Sequence, residues 1–280
     1  MSRCLDTNLI AQFQVFLLQE ERSSGTIEKY IRDVTSFVNW LNERSVTKEL
    51  IKEWKEHLLV YHYAPVTINS MLAALNSFFR FVGWNDLHTK FLKIQRRLFR
   101  NQEKELTRAE YDRLVETAQS LGRLRLRLLI ETICATGIRV SEVKYITVEA
   151  LSCGRADISL KGKVRTILIP GKLCRKLLKY AKKQKIASGE IFLTKSGRSL
   201  SRRQIWTEMK RLCEHAGVAS SKVFPHNLRH VFAVSFYKIH KDIVQLADVL
   251  GHSSIDTTRI YLLSTGSEHK KNMERLGLVT

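Results

Sequence analysis

Histidine and arginine side chains lie close together in one short segment, Pro225-His226-Asn227-Leu228-Arg229-His230. On a helix, the positions i, i+3 and i+4 that His226, Arg229 and His230 occupy share one face. Two histidines at this spacing could ligate a metal, but the glutamate of an HExxH motif is missing and a neighbouring guanidinium repels a cation. The segment therefore favours a cationic, proton-transferring face suited to a phosphate group over a metal site.

A second arginine follows a glycine in the segment Thr136-Gly137-Ile138-Arg139-Val140-Ser141-Glu142. Arg139 and Glu142 are three residues apart and share a face if a helix begins here. An ordinary ion pair on a helix surface would explain them. Alternatively, the helix N-terminus binds a phosphate, Arg139 adds a bidentate contact and Glu142 holds the guanidinium in place. The spacing alone leaves both interpretations open.

A third segment, LGHSSIDTTRIY, runs from Leu250 to Tyr261 and carries a histidine at 252. Together with the preceding residues it has the helix, glycine turn and second helix of a helix-turn-helix unit. From this segment alone, a DNA-binding unit and a chemical role are equally open. A basic turn, Lys161-Gly162-Lys163, adds two lysines of a kind that surface turns often carry.

The elements that must position these residues are mostly helices. Over residues 1–100, apolar residues recur at helical spacing in four stretches, which predicts a small helical bundle. Its helices are expected from 8 to 19, from Ser24 or Thr26 to about 41, from about 47 to 59 and from Pro65 to about 82. A basic and then polar stretch follows, and its second half predicts a linker over 101–105.

Residues 106–280 begin with Thr107 and Glu110, which have the spacing of a capping box. An apolar helix is predicted from 124 to 133, and the β-branched residues between 158 and 170 predict a short hairpin. Further helices are expected at 172–185, 201–216, 227–240, 243–250 and 255–263. The predicted fold class is therefore mainly α with one small antiparallel β-sheet.

The formal net charge of +20 is unevenly distributed along the chain. Residues 1–103 hold 14 Lys+Arg and 11 Asp+Glu, a net +3, whereas residues 104–280 hold the remaining 33 and 16, a net +17. Such a field favours a polyanion, most commonly nucleic acid.

Five scattered cysteines without a CxxC pair predict neither a disulfide framework nor a zinc site. The chain has no long apolar run and no secretion signal, so a cytoplasmic protein without a membrane is expected.

Taken together, these segments resemble the tyrosine recombinase (phage integrase) family. The matching stretches are ATGIRVSEV, PHNLRHVFA and LGHSSIDTTRIY, in which Tyr261 follows His252 by nine residues. The hairpin KGKVRTILIP looks like the lysine-bearing hairpin of that family, and SSGTIEKYIRDVTSFVNWL looks like its SAM-like core-binding domain. The resemblance covers nearly the whole chain, and the layout looks like that of simple two-domain integrases and Xer-type resolvases.

The resemblance implies a role in DNA cleavage for each matched residue. Arg139 and Arg229 would bind the non-bridging oxygens of the scissile phosphate and stabilise its transition state. Tyr261 would be the nucleophile and form a 3′-phosphotyrosyl bond. Lys161 would be the general acid that protonates the leaving 5′ oxygen.

The remaining matched residues would hold or move protons around this centre. His226 would accept or relay the proton of the tyrosine hydroxyl, and His252 would hydrogen-bond the phosphate. Glu142 would orient the site, and His230 would support the residues that touch the phosphate without touching it itself. Since the energy of the phosphodiester is stored covalently, the resemblance implies no cofactor and no metal.

Two departures from the family pattern affect these assignments. Members often end in Tyr-x-His, whereas Tyr261 is followed by Leu262-Leu263; that position is outside the catalytic set. Counting back from Pro170, the hairpin has one residue inserted. Lys163 is therefore an alternative to Lys161 as the general acid.

The resemblance also implies an organisation and partners. Residues 1–100 would form a DNA-clamping core-binding domain, 101–105 a linker and 106–280 the catalytic domain. The partners would be double-stranded DNA at specific recombination sites and, in a homo-tetramer, further copies of the chain, with an accessory DNA-bending or directionality factor as another candidate.

The expected function is site-specific recombination that integrates or excises a mobile element. An Xer-like resolvase of chromosome or plasmid dimers is the alternative, and a non-catalytic helix-turn-helix protein is a further one. A type IB topoisomerase shares the catalytic set but acts as a monomer without choosing a sequence. A metal-dependent relaxase also uses tyrosine, but it needs a histidine cluster that the sequence does not predict.

Overall fold

Apolar residues at three- and four-residue spacing, bounded by helix caps, make most of this chain helical. The computed structural model describes residues 3, 5, 7–94, 103, 105–160, 163–262, 270 and 273–277. The chain divides into two compact units, Met1–Arg96 and Arg97–Thr280. Within the described ranges, no helix combines the length and the apolar character needed to cross a membrane.

The first unit is the predicted bundle of helices. Aromatic rings fill its core: Phe13 meets Phe78 edge to face with centroids 5.2 Å apart, and Phe37 meets Trp54 at 5.0 Å. Pro65 occupies the first turn of the last helix, where its missing N–H has no partner to lose. The bundle helices are α1 (Thr7–Gln19), α2 (Ser24–Leu41), α3 (Lys48–Val60) and α4 (Pro65–Phe81).

Two asparagines on one face of α4 tie the segment that follows this helix to its side. The amide of Asn76 donates to the carbonyl of Thr89 and accepts from its N–H, both at 2.9 Å. Two helical turns away, Asn69 makes the same pair of bonds with Leu92, at 2.9 and 2.7 Å. Each side-chain amide thus pairs with the backbone as a neighbouring strand would.

The second unit packs helices around one antiparallel hairpin, as predicted. Strand β1 (Arg155–Leu160) pairs with β2 (Lys163–Leu168), so that Ile158 lies opposite Arg165. From Arg108 to Arg259 the helices are α5 (Arg108–Ser120), α6 (Leu124–Thr136), α7 (Val148–Cys153), α8 (Gly171–Lys183), α9 (Arg202–Ala216), α10 (Pro225–His240), α11 (Ile243–Leu250) and α12 (Ile255–Arg259).

Three parts of the second unit differ from the sequence prediction, which did not include the short helix α7. The helix expected from 255 to 263 ends at Arg259, and a 3-10 helix, Ile260–Leu262, then carries Tyr261. The chain after Arg139 forms a 3-10 helix, Val140–Tyr145, instead of an α-helix. In contrast, the capping box of Thr107 and Glu110 at the start of α5 is present as predicted.

Candidate active site

Gly137 ends α6 and turns the chain into the site. Its φ of +63° lies in the left-handed region, which favours glycine. A Cβ at this position would lie 2.5 Å from Cδ1 of Phe232 on α10. Glycine is therefore needed both for the turn and for the close approach of α6 and α10. Its carbonyl accepts a hydrogen bond from Nη1 of Arg229, which joins the two arginine segments.

Glu142 holds Arg139 through both of its carboxylate oxygens. Nη1 of Arg139 donates to Oε1 at 2.9 Å, and the backbone N–H of Arg139 donates to Oε2 at 2.9 Å. The side chain of Glu142 is 3% exposed, whereas that of Arg139 is 40% exposed. The predicted ion pair is present, and Glu142 also caps the short helix by accepting a hydrogen bond from the backbone N–H of Arg139. The exposed guanidinium of Arg139 is accessible to an anion from solvent.

Arg229 lies at the centre of the site and is 2% exposed. Nη1 donates to the carbonyl of Gly137, and Nη2 donates to that of Leu250 at 2.7 Å. These carbonyls lie at the C-terminal ends of α6 and α11, where the helix dipoles favour a cation and offset part of its desolvation. Burial lowers the pKa of Arg229 and the charge of Arg139 lowers it further, while Tyr261 opposes the shift.

Both ring nitrogens of His252 have partners. Nε2 lies 2.9 Å from Nη2 of Arg229, and Nδ1 lies 2.8 Å from Oγ1 of Thr258. Because a guanidinium can only donate, Nε2 must accept, and the proton lies on Nδ1 and is donated to Thr258. Burial and the nearby arginines, Arg229 first, lower the pKa of His252 to about 4. His252 is therefore neutral at pH 7.

Three imidazoles surround Tyr261, which is 4% exposed. The ring centroids of His226 and His230 each lie 5.5 Å from that of Tyr261. The His252 ring lies 5.8 Å away and is parallel to within 8°. Burial, and then the charge of Arg229, lowers the pKa of His226, which leaves this imidazole neutral and able to accept a proton.

The spacing of the histidines in the sequence did not predict this clustering around the tyrosine. The structure brings together seven of the sequence-predicted site residues, namely Arg139, Glu142, His226, Arg229, His230, His252 and Tyr261. In the part of the chain that the structure describes, no group of three His, Cys, Asp or Glu residues is arranged to hold a metal ion.

Arg165 is a site residue that the sequence reasoning missed. Its side chain is 11% exposed, Nη1 donates to the carbonyl of Leu250, and Nη2 lies 3.7 Å from Oε2 of Glu142. Burial lowers the pKa of Arg165 to about 10, so it remains a cation at neutral pH. The available signal was the two-residue period of β2, which puts Arg165 on the same face as the buried Ile167 and Ile169.

The charges in the site do not balance. Three guanidinium groups, those of Arg139, Arg165 and Arg229, face one carboxylate, that of Glu142. Two positive charges therefore remain among these groups. In a poorly hydrated site this excess favours an anion with several acceptor oxygens, and a phosphate satisfies both requirements.

The lysine of the hairpin completes the predicted set. Lys161 and Gly162 lie outside the described residues. Lys163 begins β2, with its Cα opposite that of Leu160. The assignment of the general acid therefore stays a prediction, with Lys163 as its alternative.

The fold and site define a class of protein in which guanidinium groups and imidazoles lie around one buried tyrosine. Residues 104–268 match the model of the phage integrase family, and residues 10–85 match that of the phage integrase N-terminal SAM-like domain. The chain belongs to the phage integrase family and is a tyrosine-type site-specific DNA recombinase.

Curated relatives match along nearly the full length. The tyrosine recombinase XerA of Pyrococcus furiosus is 29% identical over 286 residues, which cover 99% of this chain and 96% of the relative. XerA of Thermococcus kodakarensis is 31% identical, with 97% and 96% covered. XerD of Halalkalibacterium halodurans is 30% identical, with 91% and 92% covered.

Solved structures share the fold. A lambda integrase tetramer bound to a Holliday junction superposes with a TM-score of 0.74 at 18% identity, covering 93% of this chain and 77% of that chain. XerH bound to a palindromic difH substrate gives a TM-score of 0.71 at 19% identity, with 90% and 79% covered. At these identities the likeness is one of fold.

Proposed function

We propose that this chain exchanges DNA strands at specific sites through a transient 3′-phosphotyrosyl bond to Tyr261. The observation that carries the proposal is that Tyr261 lies among three imidazoles and beside the buried guanidinium of Arg229. A hydroxyl nucleophile, a neutral base and charge stabilisation for a phosphate are thus supplied within one chain.

In the proposed reaction, Arg139 and Arg229 bind the non-bridging oxygens of the scissile phosphate. The bond from the Tyr261 oxygen to phosphorus forms as the bond from phosphorus to the 5′ oxygen breaks. The tyrosine proton passes to His226, and the leaving 5′ oxygen takes a proton from Lys161. Attack by a 5′ hydroxyl of a second strand reverses these transfers and joins the new pair of ends. The number of phosphodiester bonds is conserved, so no energy source is required.

His252 reaches the phosphate through a change of partner in this proposal. In the free chain its Nε2 accepts from Arg229, so it cannot donate to an oxygen. When a phosphate takes over Nη2 of Arg229, Nε2 is released and can bind a proton. His252 then hydrogen-bonds the phosphate, while Glu142 and His230 keep Arg139 and Tyr261 in place.

The family match of residues 10–85 supports a DNA-clamping core-binding domain over 1–100, followed by a linker at 101–105 and a catalytic domain over 106–280.

We assign double-stranded DNA at specific sites as the substrate and a homo-tetramer as the active assembly. The DNA-bound XerH and the tetrameric lambda integrase among the structural neighbours support this assignment. An accessory DNA-bending or directionality factor would act with the tetramer, in the cytoplasm where the DNA lies.

Two biological roles fit this chemistry, namely integration or excision of a mobile element and resolution of chromosome or plasmid dimers. The full-length match to XerA relatives favours dimer resolution. A plasmid with two directly repeated copies of the binding site tests the roles. Resolution to two circles between identical sites by the chain alone is expected of the Xer-like role and also of excision, whereas recombination that requires an element-end site paired with a different target site supports integration.

Covalent trapping tests the proposed chemistry. Binding sites are first selected with the Tyr261→Phe variant from a pool of random-sequence duplexes. A nicked suicide duplex carrying the selected site is then incubated with wild type in EDTA. We expect a protein–DNA adduct with wild type and with Tyr237→Phe, the matched control on α10, but not with Tyr261→Phe. An adduct with Tyr261→Phe, or none with wild type, refutes the proposal.

The same selected sites separate the rival activities. A type IB topoisomerase would relax a supercoiled plasmid that lacks the site as readily as one that contains it. A non-catalytic helix-turn-helix protein would bind the selected duplex but form no adduct. A metal-dependent relaxase would lose its adduct in EDTA.

A further inference from the structure

Arg165 reaches from the hairpin to the turn that carries His252. From β2 its Nη1 donates to the carbonyl of Leu250, the last residue of α11. The aliphatic part of its side chain crosses Gly251, where a Cβ would overlap Cδ of Arg165 and would lie 3.0 Å from Nε. This contact therefore depends on glycine at 251, whose φ of +61° also suits glycine.

The guanidinium of Arg165 is turned inward. Its Nε and Nη2 atoms are buried and have no hydrogen-bond partner among the described residues. Nη2 of Arg165 lies 3.7 Å from Oε2 of Glu142. The same oxygen accepts a hydrogen bond from the backbone N–H of Arg139. Like Arg229, Arg165 is largely enclosed by protein, with a side chain 11% exposed. Its one side-chain hydrogen bond among the described residues goes to the carbonyl of Leu250, so it joins β2 to the turn. A position of this kind suits a residue that holds other parts of the site.

The turn at Leu250 and Gly251 has other anchors, but the hairpin does not share them. Arg229 donates to the carbonyl of Leu250, and Arg139 donates to that of Gly251 at 3.2 Å. Among the described residues, no side chain of β1 or β2 other than Arg165 makes a hydrogen bond to this turn. Loss of Arg165 would therefore leave the phosphate-binding arginines in place and release the hairpin from them.

We propose that Arg165 is a positioning residue for the leaving-group step: it fixes the lysine-bearing hairpin against the turn that holds Arg139, Arg229 and His252. The inference rests on the proposed function, because it assigns the general acid to the hairpin. Arg165 itself touches neither the phosphate nor the 5′ oxygen. Arg165 affects the cleavage rate only when the leaving oxygen needs a proton.

A substrate whose scissile 5′ oxygen is replaced by sulfur tests this role, since a thiolate leaves without a proton. We expect Arg165→Met to slow adduct formation about a hundredfold on the ordinary selected duplex, the loss typical of a small misplacement of a reacting group. On the sulfur-containing duplex the variant should come within about threefold of wild type, the margin expected once proton donation no longer limits the rate. Arg155→Met, an exposed arginine on the same hairpin, is the matched control and should behave as wild type on both duplexes.

Equal losses on both duplexes would overturn the proposal, because a loosened fold or a lost phosphate contact affects cleavage whatever the leaving group. Full activity on the ordinary duplex would overturn it as well. If Arg165→Met does not fold, Arg165→Lys, which keeps the charge but not the two-pronged donor, is judged by the same ratio of rates. Wild type and Tyr261→Phe on the ordinary duplex show separately whether the proposed function itself holds.

Discussion

Nη2 of Arg229 lies 2.9 Å from Nε2 of His252, so the guanidinium fixes the tautomer of the imidazole. We expect the free protein to hold His252 neutral, with its proton on Nδ1, across the physiological pH range, because its pKa is lowered to about 4. Nitrogen-15 NMR of histidine-labelled protein reports the tautomer directly. A protonated Nε2 at pH 7 would contradict the hydrogen bonding described above.

The same pKa predicts a pH dependence of stability. The pKa of an unfolded histidine is about 6.5, so between this pH and about 4 the unfolded chain binds a proton that folded His252 does not. Stability should therefore fall as the pH is lowered through this window. Urea unfolding at a series of pH values measures it, and His252→Asn should flatten the curve while leaving the part due to His226. An unchanged slope in that variant would show that His252 does not contribute.

Replacing each phosphate-binding arginine should have a different effect on folding. Both Arg139→Ala and Arg229→Ala should lower the cleavage rate by at least about a hundredfold, as the loss of a transition-state donor does. Arg229→Ala also leaves the buried carbonyl of Gly137 without this donor, which should cost about 1–3 kcal/mol of stability, whereas the carbonyl of Leu250 keeps its hydrogen bond from Arg165. Arg139→Ala, with its exposed side chain, should cost less than Arg229→Ala.

For both arginine variants, gel-shift titrations at fixed salt measure DNA affinity, and urea unfolding measures stability. DNA affinity should change little, because most of it comes from the many other basic residues. Binding that collapsed with Arg229→Ala in a folded protein would contradict this division between affinity and chemistry.

The two hairpin lysines can be distinguished with DNA substrates that carry different leaving groups. Lys161→Ala should lose cleavage of an ordinary duplex by about a hundredfold or more, the usual contribution of a general acid. It should recover on a duplex with sulfur at the scissile 5′ position. Lys163→Ala should cleave both duplexes at rates near those of wild type. The reverse pattern would assign the acid to Lys163, as the inserted hairpin residue allows.

The close packing at Gly137 predicts a stability loss that a second glycine controls for. Gly137→Ala combines a left-handed residue, which costs about 1–2 kcal/mol, with an overpacked contact to Phe232, which costs about 1–3 kcal/mol. Gly154 has a φ of +70° and open space where its Cβ would be, so Gly154→Ala should show only the first effect. Urea unfolding compares the two, and equal losses would show that Phe232 moves aside freely.

The helices were largely predictable because each carries its signals locally. Apolar periodicity and caps such as Thr107 predicted most helices of both units, although not α7, and the histidines and arginine of α10 were expected on one face. The break between Arg259 and Ile260 was not predicted, since the apolar pattern continues through it. Tertiary contacts of Tyr261, which packs against rings on α10 and beside the α11 turn, determine this local geometry.

Arg165 shows why the site could not be completed from spacing. Its partner Leu250 is 85 residues away in sequence, and no motif of fixed length spans that separation. A charged residue at an inward position of an alternating strand does indicate an unusual environment, but not which groups provide it. Similarly, the spacing of His226 and His252 did not predict that their rings share one tyrosine, and only the family resemblance placed both residues in one site with Tyr261.

The asparagine pairs on α4 determine where a gene fragment for the first unit should stop. The family match ends at residue 85, but Leu87 is 3% exposed, and Asn69 and Asn76 bond to Leu92 and Thr89 beyond it. A recombinant fragment cut at 85 would expose apolar core and leave the buried amide of Asn76 and the half-buried amide of Asn69 to water. A fragment that ends at 94 would keep Leu87, Thr89 and Leu92 and the contacts that they make with α4. Residues 1–94 are therefore the span to express and crystallise separately.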